Sequence, residues 1–241
     1  MTLPQLRRAA ALVAALAGLT ALPTEPAAAS TPFGGAARVG PLFPGGVRAT
    51  AHSCTATVVD SPRHDLLVTA AHCRPFPGEA FVPGYHDGVR PWGTWVITRV
   101  FTTAAWHHRR DPDHDVAFAE TRPAAAPGPL ESVVGSEAIR FAPPRSARAT
   151  AVGYPDSGSR PVRCTAELYA IGPHQARFNC PGLPGGTSGG PFLTGTRGTG
   201  LGRGTVIGLI GGYQEGGDTP DVSYSPYFDG TVAALYRTAA S

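Results

Sequence analysis

The stretch Pro184-Gly185-Gly186-Thr187-Ser188-Gly189-Gly190-Pro191 sets one serine among four glycines, bounded by prolines. Such a backbone turns sharply and presents amide N–H groups with no side chains in the way. A serine hydroxyl beside free amides suits acyl transfer: the hydroxyl attacks a carbonyl and the amides stabilise the oxyanion that forms. The same run also reads as a glycine-rich surface turn. The residues upstream and downstream have to decide between the two.

Residues 186–190 fit the G-x-S-x-G nucleophile elbow of an α/β-hydrolase, but that fold needs its histidine after the serine. The last histidine is His174, so the order excludes the elbow. Upstream, Ser53-Cys54-Thr55-Ala56-Thr57-Val58-Val59-Asp60 and Leu66-Leu67-Val68-Thr69-Ala70-Ala71-His72-Cys73 flank a polar turn. β-Branched and apolar runs in this arrangement predict an antiparallel hairpin with His72 at its end.

Between these blocks, Trp92 to Trp106 alternates as a half-buried strand does. Then comes His107-His108-Arg109-Arg110-Asp111-Pro112-Asp113-His114-Asp115. Three acids and three histidines suggest a metal site. However, Pro112 breaks any helical face, and hard-cation loops add a spaced glycine or glutamate. The other reading singles out Asp115, where a polar loop meets the apolar Val116-Ala117-Phe118. A carboxylate there can be desolvated and hold an imidazole tautomer.

Composition narrows the class. The chain has 241 residues, 31 of them glycine and 25 proline, with only 15 % charged. That favours short strands and turns. Net charge is +3 with no dense basic run, which argues against nucleic-acid binding. Residues 1–29 read as a secretory signal: Arg7-Arg8, an apolar run from Ala9 to Leu22, and Ala27-Ala28-Ala29 as the cleavage site. The remainder is expected to be secreted, extracellular and free of the membrane. Export makes Cys54, Cys73, Cys164 and Cys180 disulfide candidates with three pairings open. No C-x-x-C pair supports zinc, and neither metal nor cofactor is expected.

Residues 121–147 are Pro/Ala-rich and read as a connector. Short strands follow at Ala149–Tyr154, Arg163–Ile171, Ala176–Cys180 and Val206–Tyr213. Phe228, Val232, Leu235, Tyr236 and Ala239 form a helical stripe, expected to pack on the second half. Arg38-Val39 reads as a first strand, with proteolytic processing as the alternative.

On Val68–Cys73, Asp115–Phe118 and Gly186–Pro191, in the order His, Asp, Ser, the chain resembles the chymotrypsin/trypsin-like serine peptidases of secreted bacterial type. The resemblance implies an all-β fold of two packed antiparallel six-stranded β-barrels with a C-terminal helix. The peptidase domain would span 30–241, with a first barrel over about 36–125, a second over about 145–227 and the helix over about 228–239. It implies Ser188 as nucleophile, His72 as general base and then acid, and Asp115 as the orienting group. The amides of Gly186 and Ser188 would form the oxyanion hole. It pairs Cys54 with Cys73, leaving Cys164 with Cys180. The implied activity is that of a secreted serine endopeptidase acting on protein or peptide substrates, with a monomer as the expected state. A catalytically silent secreted binding protein on the same fold is the rival reading.

Three departures from the family pattern stand out. Many members carry Asp just before the serine, where it receives the ammonium of a newly cut N-terminus; here that residue is Thr187. The position that is acidic in enzymes cutting after Lys or Arg is Gly182. The pocket wall reads Ile210-Gly211-Gly212-Tyr213, without the histidine of Glu-specific relatives and without the hydroxyl that supports the Asp. An uncharged pocket formed by Gly182, Ile210, Gly211, Gly212 and Tyr213, for small or medium apolar side chains, is expected.

Overall fold

A computed structural model describes residues 28–241. The signal expected over residues 1–29 lies, except for its last two residues, outside the described residues. The strands of the first half are β1 (Thr31–Pro32), β2 (Val39–Phe43), β3 (Cys54–Val58), β4 (Leu66–Thr69), β5 (Ala80–Phe81), β6 (Thr94–Thr102) and β7 (Ala117–Ala125). Strands β2 to β7 close into a six-stranded antiparallel barrel in the order β2-β3-β4-β7-β6-β5. The expected hairpin is β3–β4, with Thr57 opposite Val68 and Val58 opposite Leu67. A disulfide between Cys54 and Cys73 ties its two ends. Leu42, Leu67, Phe81, Trp95 and Ile97 gather in one buried cluster of this barrel.

The second half contains β8 (Ala138–Ile139), β9 (Ser146–Gly153), β10 (Val162–Ala170), β11 (Gln175–Asn179), β12 (Pro191–Thr194), β13 (Thr205–Leu209) and β14 (Val222–Pro226). It differs from the expected closed six-stranded barrel. The strands form a sheet in the order β14-β11-β10-β9-β12-β13-β8, with β1 added beside β10. The edges meet at a seam without a ladder. Gly211 donates to the Tyr224 carbonyl at 3.0 Å, and the Ser225 hydroxyl accepts from Leu209 N–H at 3.1 Å. A side chain thus replaces a backbone partner, and Pro226 has no N–H with which to extend the pairing. The Cys164–Cys180 disulfide lies within this half.

Other boundaries also move. The strand expected to reach Tyr213 ends at Leu209, and a 3₁₀ turn occupies Tyr213–Gly216. The strand expected to reach Trp106 ends at Thr102, followed by α1 (Ala104–Arg109). The Thr103 hydroxyl caps α1 by accepting from Trp106 N–H at 3.1 Å. The connector contains α2 (Leu130–Val134) and β8, which pairs in parallel with β13.

The C-terminal helix is α3 (Gly230–Ala240), N-capped by the Asp229 carboxylate, which accepts from Thr231 and Val232 N–H. The expectation that it packs on the second half is corrected. Tyr236 lies edge-on to Phe118 of β7, with ring centroids 5.6 Å apart, and donates to the Asp60 carbonyl at 2.7 Å. The chain therefore returns to the first barrel, because the apolar stripe finds Phe118 there. Val39, Phe43, Val68 and Phe118 of the first barrel share one core with Val152, Tyr154 and Leu209 of the second half.

Glu79, before β5, is 2 % exposed, and its Oε2 has no hydrogen-bond partner. Burial pushes its carboxyl up to about 7, against a smaller opposing pull from the Phe76 N–H. The folded state therefore holds the proton more tightly than the unfolded chain, whose value is 4.5. Stability from this group is present at acid pH and is lost as pH rises from there to about 7, a change on the order of 3 kcal/mol. Urea unfolding at acid and at mildly alkaline pH should register that loss, and Glu79→Gln should abolish most of it.

Candidate active site

The 3₁₀ turn Ala71–Cys73 follows β4 and carries His72; it is fixed by the disulfide on Cys73. Asp115 sits between the 3₁₀ turn Pro112–His114 and β7, with its side chain fully buried. Its carboxylate accepts three hydrogen bonds. His72 Nδ1 donates at 2.6 Å and His72 N–H at 2.7 Å; Gly212 N–H donates at 2.8 Å. With the proton on Nδ1, donated to the carboxylate in that hydrogen bond, Nε2 presents its lone pair. Gly212 thus holds the carboxylate. It provides from the backbone the support that the missing hydroxyl at Gly211 would otherwise give. A Cβ on Gly211 would lie 3.0 Å from Asp115 Oδ2 and 2.9 Å from Leu209 Cδ1, so the backbone approaches the carboxylate closely there.

The serine loop is docked on the first barrel. Only two residue pairs join β3 to β4, so at Thr55 the strands have separated and its backbone groups are free for other partners. Thr55 N–H donates to the Ser188 carbonyl at 2.8 Å, and the Thr55 carbonyl accepts from Thr69 Oγ1 at 2.7 Å. Thr55 Oγ1 donates to the Gly186 carbonyl at 3.0 Å and accepts from Tyr154 N–H at 2.9 Å. Thr55 is fully buried, and sequence reasoning did not assign it a role.

Two glycines allow the loop its path. Gly186 has φ +89°, and a Cβ there would meet Asp156 N at 2.3 Å. Gly189 has φ +79°, and a Cβ would meet Thr55 O and Thr69 Oγ1, both at 2.2 Å. Thr187 is buried; its hydroxyl donates to the Pro184 carbonyl at 2.6 Å, closing the loop internally. Val39 lies within β2 and donates to the Ala36 carbonyl, as the ordinary first-strand reading expects. Among the described residues, no acceptor takes the N–H of Gly186 or Ser188.

A cavity of about 180 Å³ opens beside Ser188, with Leu183, Thr187, Ile210, Glu215 and Asp218 in its lining. Of the expected pocket residues, Ile210 lines it. Gly182 instead accepts from Ser30 Oγ at 2.6 Å, Gly212 binds Asp115, and Tyr213 stacks edge-on against Tyr224 at 5.1 Å. Glu215 and Asp218, both exposed, stand with Ile210 in the lining of this cavity. They lie in a downstream loop whose fold-back no local sequence pattern announced.

The 107–115 cluster is divided among separate tasks. The Asp111 carboxylate accepts from Asp113 N–H at 3.1 Å, and Asp113 accepts from Gln175 at 2.8 Å. Asp115 serves His72.

A β-barrel paired with a second β-sheet, a buried carboxylate–imidazole pair and a glycine-framed serine loop docked on that barrel together point to the serine-peptidase class. The family model of the trypsin-like peptidase domain matches residues 54–208. The chain belongs to that family and is a serine-type peptidase, with peptides or proteins as substrates. Among solved structures, thermostable serine protease AL20 from an extremophilic microorganism is similar at 27 % identity and TM-score 0.71, over 85 % of this chain and 97 % of that one. Protease Anisep from Arthrobacter nicotinovorans shares the fold at 23 % identity and TM-score 0.71, over 88 % of this chain and 99 % of that one. A Glu endopeptidase in complex with MPD shares it at 15 % identity and TM-score 0.68, over 88 % and 96 %. Comparison with curated protein sequences gives no match.

Thr55→Val keeps the β-branched shape but strands the Gly186 carbonyl and Tyr154 N–H, at a cost on the order of 1–3 kcal/mol for each unpaired group. The melting temperature and kcat should both fall, with Thr55→Ser restoring most of each. Thermal melts alongside peptide hydrolysis test this.

Proposed function

We propose that the chain is a secreted endopeptidase cleaving through a Ser188–His72–Asp115 triad and an acyl-enzyme. Ser188 Oγ attacks the scissile carbonyl while His72 Nε2 takes its proton. The N–H groups of Gly186 and Ser188 receive the oxyanion. Collapse of the tetrahedral intermediate breaks the C–N bond, and His72 returns the proton to the leaving amine. Water then attacks the ester by the same route and frees Ser188. Asp115 keeps His72 in the required tautomer and stabilises the imidazolium. The observation that carries this reading is the Asp115 carboxylate, fully buried and accepting three hydrogen bonds, two of them from His72.

Export is supported by the leader-like residues 1–29 and by two disulfides. Among the described residues, no helix is long and apolar enough to cross a membrane. The peptidase domain is taken to begin near Ser30 and to act as a monomer. In the pocket, Leu183 and Ile210 offer apolar walls while Glu215 and Asp218 disfavour an acidic substrate side chain.

A fluorophosphonate should label the mature protein at Ser188, as mapped by mass spectrometry, and Ser188→Ala should not label. A folded, unreactive protein would favour the binding-protein reading. Asp115→Asn should lower kcat by about 10⁴. A peptide-library profile should exclude Asp and Glu at the residue whose carbonyl is cleaved.

A further inference from the structure

His107 and Arg110, which the sequence places in a candidate metal cluster, line a second cavity of about 270 Å³. The other walls include Ala71, Arg74, Pro75 and Trp106, so the cavity flanks the His72–Cys73 turn. Arg74, His107 and Arg110 are exposed, and no carboxylate lines the space. Among the described residues, none of the three makes an ion pair. Arg38, Arg63, Arg160 and Arg203, by contrast, each pair with an acid within 3.3 Å.

The local backbone presents these cations. Arg74 closes the His72 turn in the left-handed region, at φ 51°. Arg110 closes α1 in the same way, at φ 52°. Glycine is the usual residue at such a cap, yet an arginine occupies both. The Arg110 guanidinium lies 5.3 Å above the Trp106 ring, which steadies it without neutralising it.

We propose that this groove binds an acidic side chain of the peptide substrate, so that the enzyme prefers chains carrying Asp or Glu near the scissile bond. The proposal rests on the reading of His72 and Ser188 as the cleaving pair. The planar guanidinium fork matches a carboxylate in two-point geometry. The cavity beside Ser188 holds Glu215 and Asp218. The two cavities thus differ in charge, with Glu215 and Asp218 in the one beside Ser188 and cations in the one that flanks the His72–Cys73 turn. A peptide with an acidic residue away from the cleaved position complements both.

The test uses peptides that share one scissile bond and differ only in Glu or Gln at positions flanking it. For each enzyme the ratio of kcat/KM for the Glu and Gln peptides is taken, so a general loss of activity cancels. The wild type should favour Glu about fivefold at low salt, mainly through KM, and the preference should shrink as salt is added. Arg74→Gln/Arg110→Gln should bring the ratio near one, and Arg74→Glu/Arg110→Glu should reverse it. A ratio of one in the wild type, or a preference unchanged in the variants, overturns the proposal. Fluorescence-anisotropy binding of the same peptides to Ser188→Ala separates the two readings. Tighter binding of the Glu peptide without turnover by the wild type sinks the peptidase mechanism and upholds the groove. Equal turnover and equal binding of both peptides sink the groove alone.

Discussion

Thr55 is the point at which the two halves of the molecule are joined at the site. Its four hydrogen bonds reach Ser188, Gly186, Tyr154 and Thr69. The first two lie in the serine loop, the third follows β9, and the fourth ends β4, just before the His72 turn. Ser188 and His72 come from different halves of the molecule, and for the proposed nucleophile and base small displacements are costly in catalysis. A buried hydroxyl that both donates and accepts has no freedom to turn away without orphaning a partner. The Thr55 backbone is available for this only because β3 and β4 separate after two pairs.

The seam of the second half is part of the same design. A closed ladder between β13 and β14 would carry the chain past Asp115 as a regular strand. Instead, Gly211 and Gly212 leave the strand path, and Gly212 turns its N–H onto the carboxylate. The pairing lost at the seam is partly replaced by Ser225. Asp115 therefore draws bonds from both halves, from His72 on one side and Gly212 on the other. A carboxylate with no exposed surface needs donors from the protein in place of the water it has lost.

Charge is distributed unevenly around this pair. Glu215 and Asp218 stand by the cavity next to Ser188, while Arg74 and Arg110 stand by the turn that carries His72. With a net charge of only +3, the molecule has no dominant overall field. Its electrostatic contrasts are local, between exposed side chains at two separate cavities.

The sequence by itself was enough to point to the serine-peptidase family. A serine in a glycine run, a histidine ending an apolar strand beside a cysteine, and an aspartate opening another strand were legible because each sits in a short local pattern. The β3–β4 hairpin and the helix stripe were legible for the same reason, since period and turn residues act over a few positions. The tertiary structure alone decided the rest. It brought Thr55 against Gly186 and Ser188, placed Glu215 and Asp218 at the pocket, assigned Gly212 to Asp115, left the second sheet open and returned α3 to the first barrel. Each of these depends on contacts between residues far apart in the chain. Local propensity holds no record of such pairs; the packing of two sheets around a shared core creates them.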